Sequence, residues 1–369
     1  MRNPRYSEVP VDSAAGRYPV RIGTGVRAGL AARVREVAPS GRCALITDEN
    51  VGALWGGEVK GLLAAAGIDA VAGSFPAGEA SKTRRTWAAL TDMLLEAGLG
   101  RDSCVVALGG GVVGDVAGFV AATFLRGVPF VQVPTTTLAM IDASVGGKTG
   151  VDHSAGKNLV GAFHAPSAVF ADPDFLTTLD SGTLAAGFAE AVKHGVILDP
   201  AYAEWLAVRA ESLLGRDADD VSRAVLRSVE IKSEIVSEDE FEANRRQILN
   251  LGHTVGHAIE LNSGYGLPHG HAVAAGMVAE ARIGEALGVT FPGTAEEIRT
   301  LVRAFGLPDF DPGLLRPRRM AGLMARDKKV RSGAVRIVRL EGMGRAGTGD
   351  ETTVAVPAEV LVRIMEDWS

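Results

Sequence analysis

Four of the chain's seven histidines fall within residues 249–273, LNLGHTVGHAIELNSGYGLPHGHAV. His253 and His257 are four apart, so on a helix their rings share one face, one turn apart. His269 and His271 follow after a glycine-containing turn. Imidazoles gathered in this way can bind a transition metal; the same residues could also form a polar helix and a solvated loop. A second candidate is GFAEAVKHGV, which places Glu190 and Lys193 three apart. That spacing suits a surface ion pair. The flanking alanines, Phe188 and Val192 argue instead for a buried helix, where Glu190 would need a metal and Lys193 an anion. Two histidines and one carboxylate leave coordination positions open for a substrate's oxygens. Thr254 stands where the general-base glutamate of an H-E-x-x-H zinc protease would be, which excludes that class.

Phosphate chemistry is suggested by two glycine-rich stretches. ALGGGVVGD fits G-x-G-x-x-G at Gly109, Gly111 and Gly114, after an expected strand and opening an expected helix. Glycines let a backbone approach a pyrophosphate, and a helix N-terminus favours its charge. No acidic residue follows about twenty positions on, as the dinucleotide fingerprint requires; Asp48, ending the strand of LITDEN, could contact a ribose instead. An ordinary strand–helix turn would have the same composition. Residues 142–163, DASVGGKTGVDHSAGKNLVGAF, set Asp142, Lys148, Lys157 and Asn158 among glycines. Such a loop suits a phosphate or carboxylate, or is simply solvated. GGKT lacks the upstream spacing of a P-loop. Lys232, Arg246 and Asn250 lie in EIKSEIVSEDEFEANRRQILN, and Lys328 and Lys329 in ARDKKV; singly, each reads as a solvated charge.

The elements that must carry these groups divide the chain in two. Up to about residue 175, strand-like runs (YPVRIGTGV, CALITDEN, SCVVALGGG, PFVQVPTT) alternate with helical ones, the pattern of a parallel sheet covered on both faces. Beyond it the spacing is helical, apart from a short hairpin expected around Ser332 and Gly333. We therefore expect an α/β, Rossmann-like domain with a parallel sheet over 1–178, a mostly α-helical domain over 179–369, and a cleft between them. The 369 residues suffice for two cores. A net charge of −6 argues against nucleic acid as a partner. The apolar run from Cys104 to Leu125 is broken by glycines and Asp115, so a strand and a buried helix explain it better than a membrane span. The N-terminal stretch lacks the apolar core of a signal peptide. Two cysteines in apolar runs read as thiols of a reducing, cytoplasmic compartment.

Taken together, GGGVVGD, RGVPFVQVPTT, DASVGGKT, GKN, AEAVKHG, LNLGHTVGHAIE, HG-AVAAGM and RDKK resemble, in this order and over nearly the whole chain, the 3-dehydroquinate synthases of the sugar phosphate cyclase superfamily. The resemblance implies a dehydroquinate synthase-like fold and a homodimer. It implies Zn2+, with Co2+ as an alternative, held by Glu190, His253 and His269. It implies NAD near Asp48, Asn50, Glu79, Lys82, Gly110, Gly111, Val112, Asp115, Thr135, Thr136, Asp142, Lys148, Lys157 and Thr178. Lys232 and Arg246 would hold a substrate carboxylate. Lys148, Asn158, Asn250, His257 and Lys328 would surround a phosphate, with Arg126 reaching the neighbouring subunit's phosphate. Asp142 and Lys193 would meet ring hydroxyls; Lys148, Lys193, Asn250, His257 and Asp142 form the implied catalytic set. The implied reaction converts 3-deoxy-D-arabino-heptulosonate 7-phosphate, a small anionic sugar phosphate, to 3-dehydroquinate and phosphate. It runs by transient oxidation, phosphate elimination, re-reduction and intramolecular aldol closure. The sister cyclases that make 2-epi-5-epi-valiolone or 2-deoxy-scyllo-inosose are the nearest rivals, and a polyol dehydrogenase a more distant one. One departure stands out: the family reads HGEAV where this chain has HGHAV, so His271 replaces a glutamate. We expect His269 to remain the ligand and His271 to support it from behind.

Overall fold

RCALITD carries five consecutive buried residues and CVVALG is buried throughout; strands without polar alternation need cover on both faces. The computed structural model describes residues 6–154, 156–264, 266–309, 316–324, 334–348 and 351–368. In chain order the first half contains β1 (Ser7–Ser13), β2 (Gly16–Ile22), α1 (Leu30–Val37), β3 (Arg42–Asp48), the single turn α2 (Glu49–Val51), α3 (Gly57–Ala65) and β4 (Asp69–Phe75). It continues through α4 (Arg84–Glu96), β5 (Cys104–Gly109), α5 (Gly111–Thr123), β6 (Phe130–Pro134), β7 (Lys148–His153), β8 (Gly156–Phe163) and β9 (Ala168–Ala171). The main sheet has the order β1-β2-β9-β6-β5-β3-β4 and is parallel except for the β1–β2 hairpin at its edge. From β3 the chain passes to β4 on one side and returns to β5 on the other, so the order reverses between β3 and β5. Ligands of open α/β sheets bind outside the carboxyl ends of strands at such a reversal.

The second half contains α6 (Ser181–Leu198), α7 (Pro200–Val208), α8 (Ala210–Leu214), α9 (Ala218–Glu238), α10 (His253–Asn262), α11 (His269–Ala286), α12 (Thr294–Ala304) and α13 (Pro317–Met324). After it come the short strands β10 (Ala334–Val338), β11 (Leu340–Gly342), β12 (Arg345–Ala346) and β13 (Thr353–Pro357), then α14 (Ala358–Glu366). The chain divides into two compact units, Met1–Asp180 with Arg216–Ser237, and Ser181–Gly215 with Glu238–Ser369. The second unit is therefore not one continuous stretch, because most of α9 groups with the first.

Two local readings need correction, and one element was missed. β1 and its hairpin with β2 were not foreseen. Residues 148–163, read as a glycine-rich loop, form the antiparallel hairpin β7–β8. ILNLGHTVGHAIELN is not one helix: Arg245–Asn250 is a 3-10 turn, and Gly252, at φ 81°, breaks the chain before α10 begins at His253. The hairpin expected around Ser332 and Gly333 lies outside the described residues; β10 pairs with β13. The apolar run of Cys104–Leu125 resolves into β5, the glycine turn and α5. No helix among the described residues is long and apolar enough to cross a membrane.

Candidate metal centre and active site

In the first unit, the groups assigned to NAD gather at the carboxyl ends of four adjacent strands. Asp48 ends β3, Glu79 and Lys82 follow β4, Gly110 to Asp115 follow β5, and Thr135 and Thr136 follow β6. Asp48 caps α2, its Oδ1 accepting from Val51 N at 2.9 Å, and Asn50 is exposed on that turn. Gly110 is tightly packed: a Cβ there would lie 3.0 Å from Thr136 Cγ2, which would have to give way. Lys82 is 4% exposed, with Nζ 2.5 Å from Oδ2 of Asp115 on α5. Burial pushes the Asp115 carboxyl upward and Lys82 only partly offsets it. Burial alone would lower Lys82, but the carboxylates of Asp115, Glu79 and Asp152 leave its pKa raised. Thr178 accepts from Trp55 Nε1 at 3.0 Å.

The β7–β8 hairpin is tied to the same region. Asp152 N donates to the Lys82 carbonyl at 2.8 Å, and Lys157 Nζ lies 3.7 Å from Glu79. Asn158 adopts φ 53° and donates its N–H to Asp152 Oδ1 at 2.7 Å; Lys148 is exposed at the start of β7. Lys232, 5% exposed, donates to the Asp142 carbonyl at 2.6 Å and pairs with its Oδ1 at 2.8 Å. Arg126 is exposed in a turn where Leu125, Arg126 and Gly127 all have positive φ, a costly backbone that is commonly retained for function.

The second unit brings Glu190, His253 and His269 together. Each offers a ligand atom within 4.8 Å of the others. They sit on α6, α10 and α11, which cross at contacts without side chains. A Cβ on Gly276 would fall inside the contact distance of the Gly252 carbonyl, and one on Gly270 would strike the Ala186 carbonyl. Glu280 on α11 accepts from Thr254 N at 3.0 Å and Val255 N at 3.3 Å, capping the start of α10, which Gly252 cannot cap itself.

The donor set fits a zinc ion. The Nε2 atoms of His253 and His269 lie 3.8 Å and 3.7 Å from Glu190 Oε1, close to the about 3.4 Å that separates ligands around a tetrahedral Zn2+. His253 Nδ1 is 3.3 Å from the Leu251 carbonyl, which can only accept, so the ring proton sits on Nδ1 and Nε2 keeps its lone pair. His269 Nδ1 is 3.5 Å from Glu260 Oε2. Glu190 and Lys193 are both 1% exposed. They do not form a surface pair: the two are buried together, with Lys193 Nζ bonded to Glu190 Oε2 and Oε1 toward the histidines.

Two more of the residues that the resemblance assigns to substrate, Arg246 and Asn250, lie on the segment before α10. Arg246, 2% exposed, donates to the Glu240 carbonyl at 2.5 Å, and Asn250 to Glu242 Oε1 at 2.6 Å. Asp239 ties this segment down by accepting from the N–H groups of Ala243, Asn244 and Arg246. The His257 ring centroid lies 5.6 Å from that of His253 and 6.2 Å from that of His269. Lys328 and Lys329 lie outside the described residues.

Residues 72–186 match the family profile of the 3-dehydroquinate synthase N-terminal region, and 187–330 that of its C-terminal region. The chain belongs to the 3-dehydroquinate synthase family. It is 45% identical to the 3-dehydroquinate synthase of Pelobacter propionicus over 359 residues, covering 97% of this chain and 98% of that one. Two solved relatives have the same fold at 26% identity. A 2-deoxy-scyllo-inosose synthase complexed with carbaglucose-6-phosphate, NAD+ and Co2+ superposes with a TM-score of 0.89, covering 98% and 99% of the two chains. A 2-epi-5-epi-valiolone synthase from Streptomyces hygroscopicus with NAD+ and Zn2+ bound gives 0.85, covering both chains fully. The expected fold class therefore stands.

Sequence reasoning missed Glu260, Glu280 and Asp239. Glu260 was within reach, because 253, 257 and 260 follow the i, i+4, i+7 stripe of a helix face. Glu280 acts on residues 25 and 26 positions away, and no local pattern announces it. The rings of His253, His257 and His269 lie in mutual contact, while His271 stands two steps further along α11, roughly 200° round the helix from His269.

Proposed function

We propose that this family member is a 3-dehydroquinate synthase, a carbon–oxygen lyase that converts 3-deoxy-D-arabino-heptulosonate 7-phosphate to 3-dehydroquinate and phosphate. The observation that carries this reading is the Glu190–His253–His269 cluster, with its Nδ1 atoms engaged and its Nε2 atoms converging on one carboxylate oxygen. When bound, NAD would accept and return one hydride and zinc would act as a Lewis acid toward the substrate, leaving no net redox change.

The chain's own groups bind and orient. The carboxyl ends of β3 to β6 would cradle the dinucleotide, with the glycine turn at its pyrophosphate. Lys232 and Arg246 would hold the substrate carboxylate. Lys148, Asn158, Asn250, His257 and Lys328 would hold the phosphate, aided by the neighbouring subunit through the strained turn at Arg126. Asp142 and Lys193 would fix ring hydroxyls. With each polar group of the substrate gripped, the protein contributes mainly orientation and electrostatics. A cytoplasmic location accords with the free, buried thiols of Cys43 and Cys104, and the homodimer is what the family resemblance implies.

The overlay with 2-deoxy-scyllo-inosose synthase favours one second reading, a sister cyclase. A carboxylate grip by Lys232 and Arg246 would have no purpose on a sugar phosphate lacking that group. The test is phosphate release from the purified protein with NAD and zinc, with and without chelator, while absorbance at 340 nm is followed. Chelator-sensitive release from 3-deoxy-D-arabino-heptulosonate 7-phosphate without NADH accumulation is expected. Release only from sedoheptulose 7-phosphate or glucose 6-phosphate would move the chain to the sister cyclases, and accumulating NADH would make it a dehydrogenase.

A further inference from the structure

We propose that Glu260 is a positioning residue for the metal centre, holding His269 in the tautomer and orientation that turn its Nε2 toward Glu190. This inference rests on the zinc reading above. His269 opens α11, and its side chain is 32% exposed, against 15% for His253. Packing therefore restrains it less, at a helix end whose N-cap, Pro268, offers no side-chain bond. A ligand in that place needs a tether.

Glu260 supplies one. Its side chain is 4% exposed, and its Oε2 lies 3.5 Å from His269 Nδ1. An ionised carboxylate only accepts, so it selects the ring form with the proton on Nδ1 and the lone pair on Nε2. That is the atom 3.7 Å from Glu190 Oε1. A negative charge behind the ring also makes Nε2 a stronger donor. His253 Nδ1 faces a backbone carbonyl, which substitution cannot remove; the carboxylate of Glu260 can be replaced. Glu260 is placed for this by α10 itself: it lies seven residues after His253, on the same face of the helix. The carboxylate behind the third ligand thus comes from the neighbouring helix, and His271 takes no part.

The test is the zinc dissociation constant, measured by competition with a chromophoric chelator, for the wild type, E260Q, E260A, H271A and E190A. The Co2+ visible spectrum and the metal-free melting temperature are recorded for each. Gln keeps the shape and the fold but loses the charge. We expect E260Q and E260A to bind zinc about 10- to 100-fold more weakly, with an altered Co2+ spectrum and a wild-type melting temperature. H271A should bind as the wild type does. Wild-type affinity in E260Q and E260A would overturn the inference while leaving the zinc reading intact. A wild type that binds no zinc, or an E190A that binds it normally, would overturn both.

Discussion

Lys82 and Asp115 are 33 positions apart in the chain, yet their charged atoms lie 2.5 Å from one another. The sequence named both as cofactor contacts, through resemblance alone; the pair itself has no local signature. Removing one member of such a pair strands the other charge. We expect K82M to lose about 2–3 kcal/mol, less than for a fully enclosed pair because the Asp115 side chain is 23% exposed. The double variant K82M/D115L should recover most of that loss. Urea unfolding of both variants checks this, and equal losses in the two would deny the pair its role. The cluster of Glu190, His253 and His269 is different: the crowded histidines and the buried Glu190 suggested a metal from their own residues, and the set of three was implied by the resemblance.

The three helices that bear the ligands meet where side chains are missing. Gly252, Gly256, Gly270 and Gly276 allow α10 and α11 to touch each other, and α11 to touch α6, through backbone. G276A should therefore force α10 and α11 apart, moving His253 against His269. Zinc affinity should fall at least about tenfold, together with about 1–3 kcal/mol of stability from overpacking. Chelator competition and thermal melting measure the two effects, and unaltered zinc binding would separate the crossing from the metal site. The Asp239 turn makes a second prediction. Partial burial pushes its carboxyl upward, but the backbone N–H groups of Asn244, Arg246 and Ala243 outweigh this and hold it below its ordinary 3.8. A depressed folded pKa gives stability that is present above 3.8 and lost as pH falls through the folded value. D239N should thus melt below the wild type near neutral pH, and the two should converge in acid; a constant gap at every pH would contradict this. Apart from the missed β1, the misread elements share a cause. β7, β8 and the break before α10 are glycine-rich, and glycine reports permitted backbone without saying whether a hairpin, a loop or a helix stop will use it.

For the molecule as a whole, the alternation of strands and helices gave the first half's class directly, because a buried parallel sheet imposes it. The grouping of Arg216–Ser237 with that half was not legible, since contacts distant in the chain decide it. Arg126 carries the prediction at this scale. If it serves the neighbouring subunit, R126A and H253A should each be inactive alone. Refolded together, they should regain about a quarter of wild-type activity, the share expected of hybrids in a two-fold pair. Mixtures that stay inactive would confine Arg126 to its own subunit. The bond between Lys193 and Glu190 bears on the protein's life before catalysis. On the proposed zinc reading, the carboxylate that would receive the ion is already paired with a cation on its own helix, so we expect a newly made chain to mature without waiting for the metal. Zinc scarcity would then leave a reserve of intact, dormant protein, ready to be switched on when supply returns, where a fold that needed the ion would be lost to degradation.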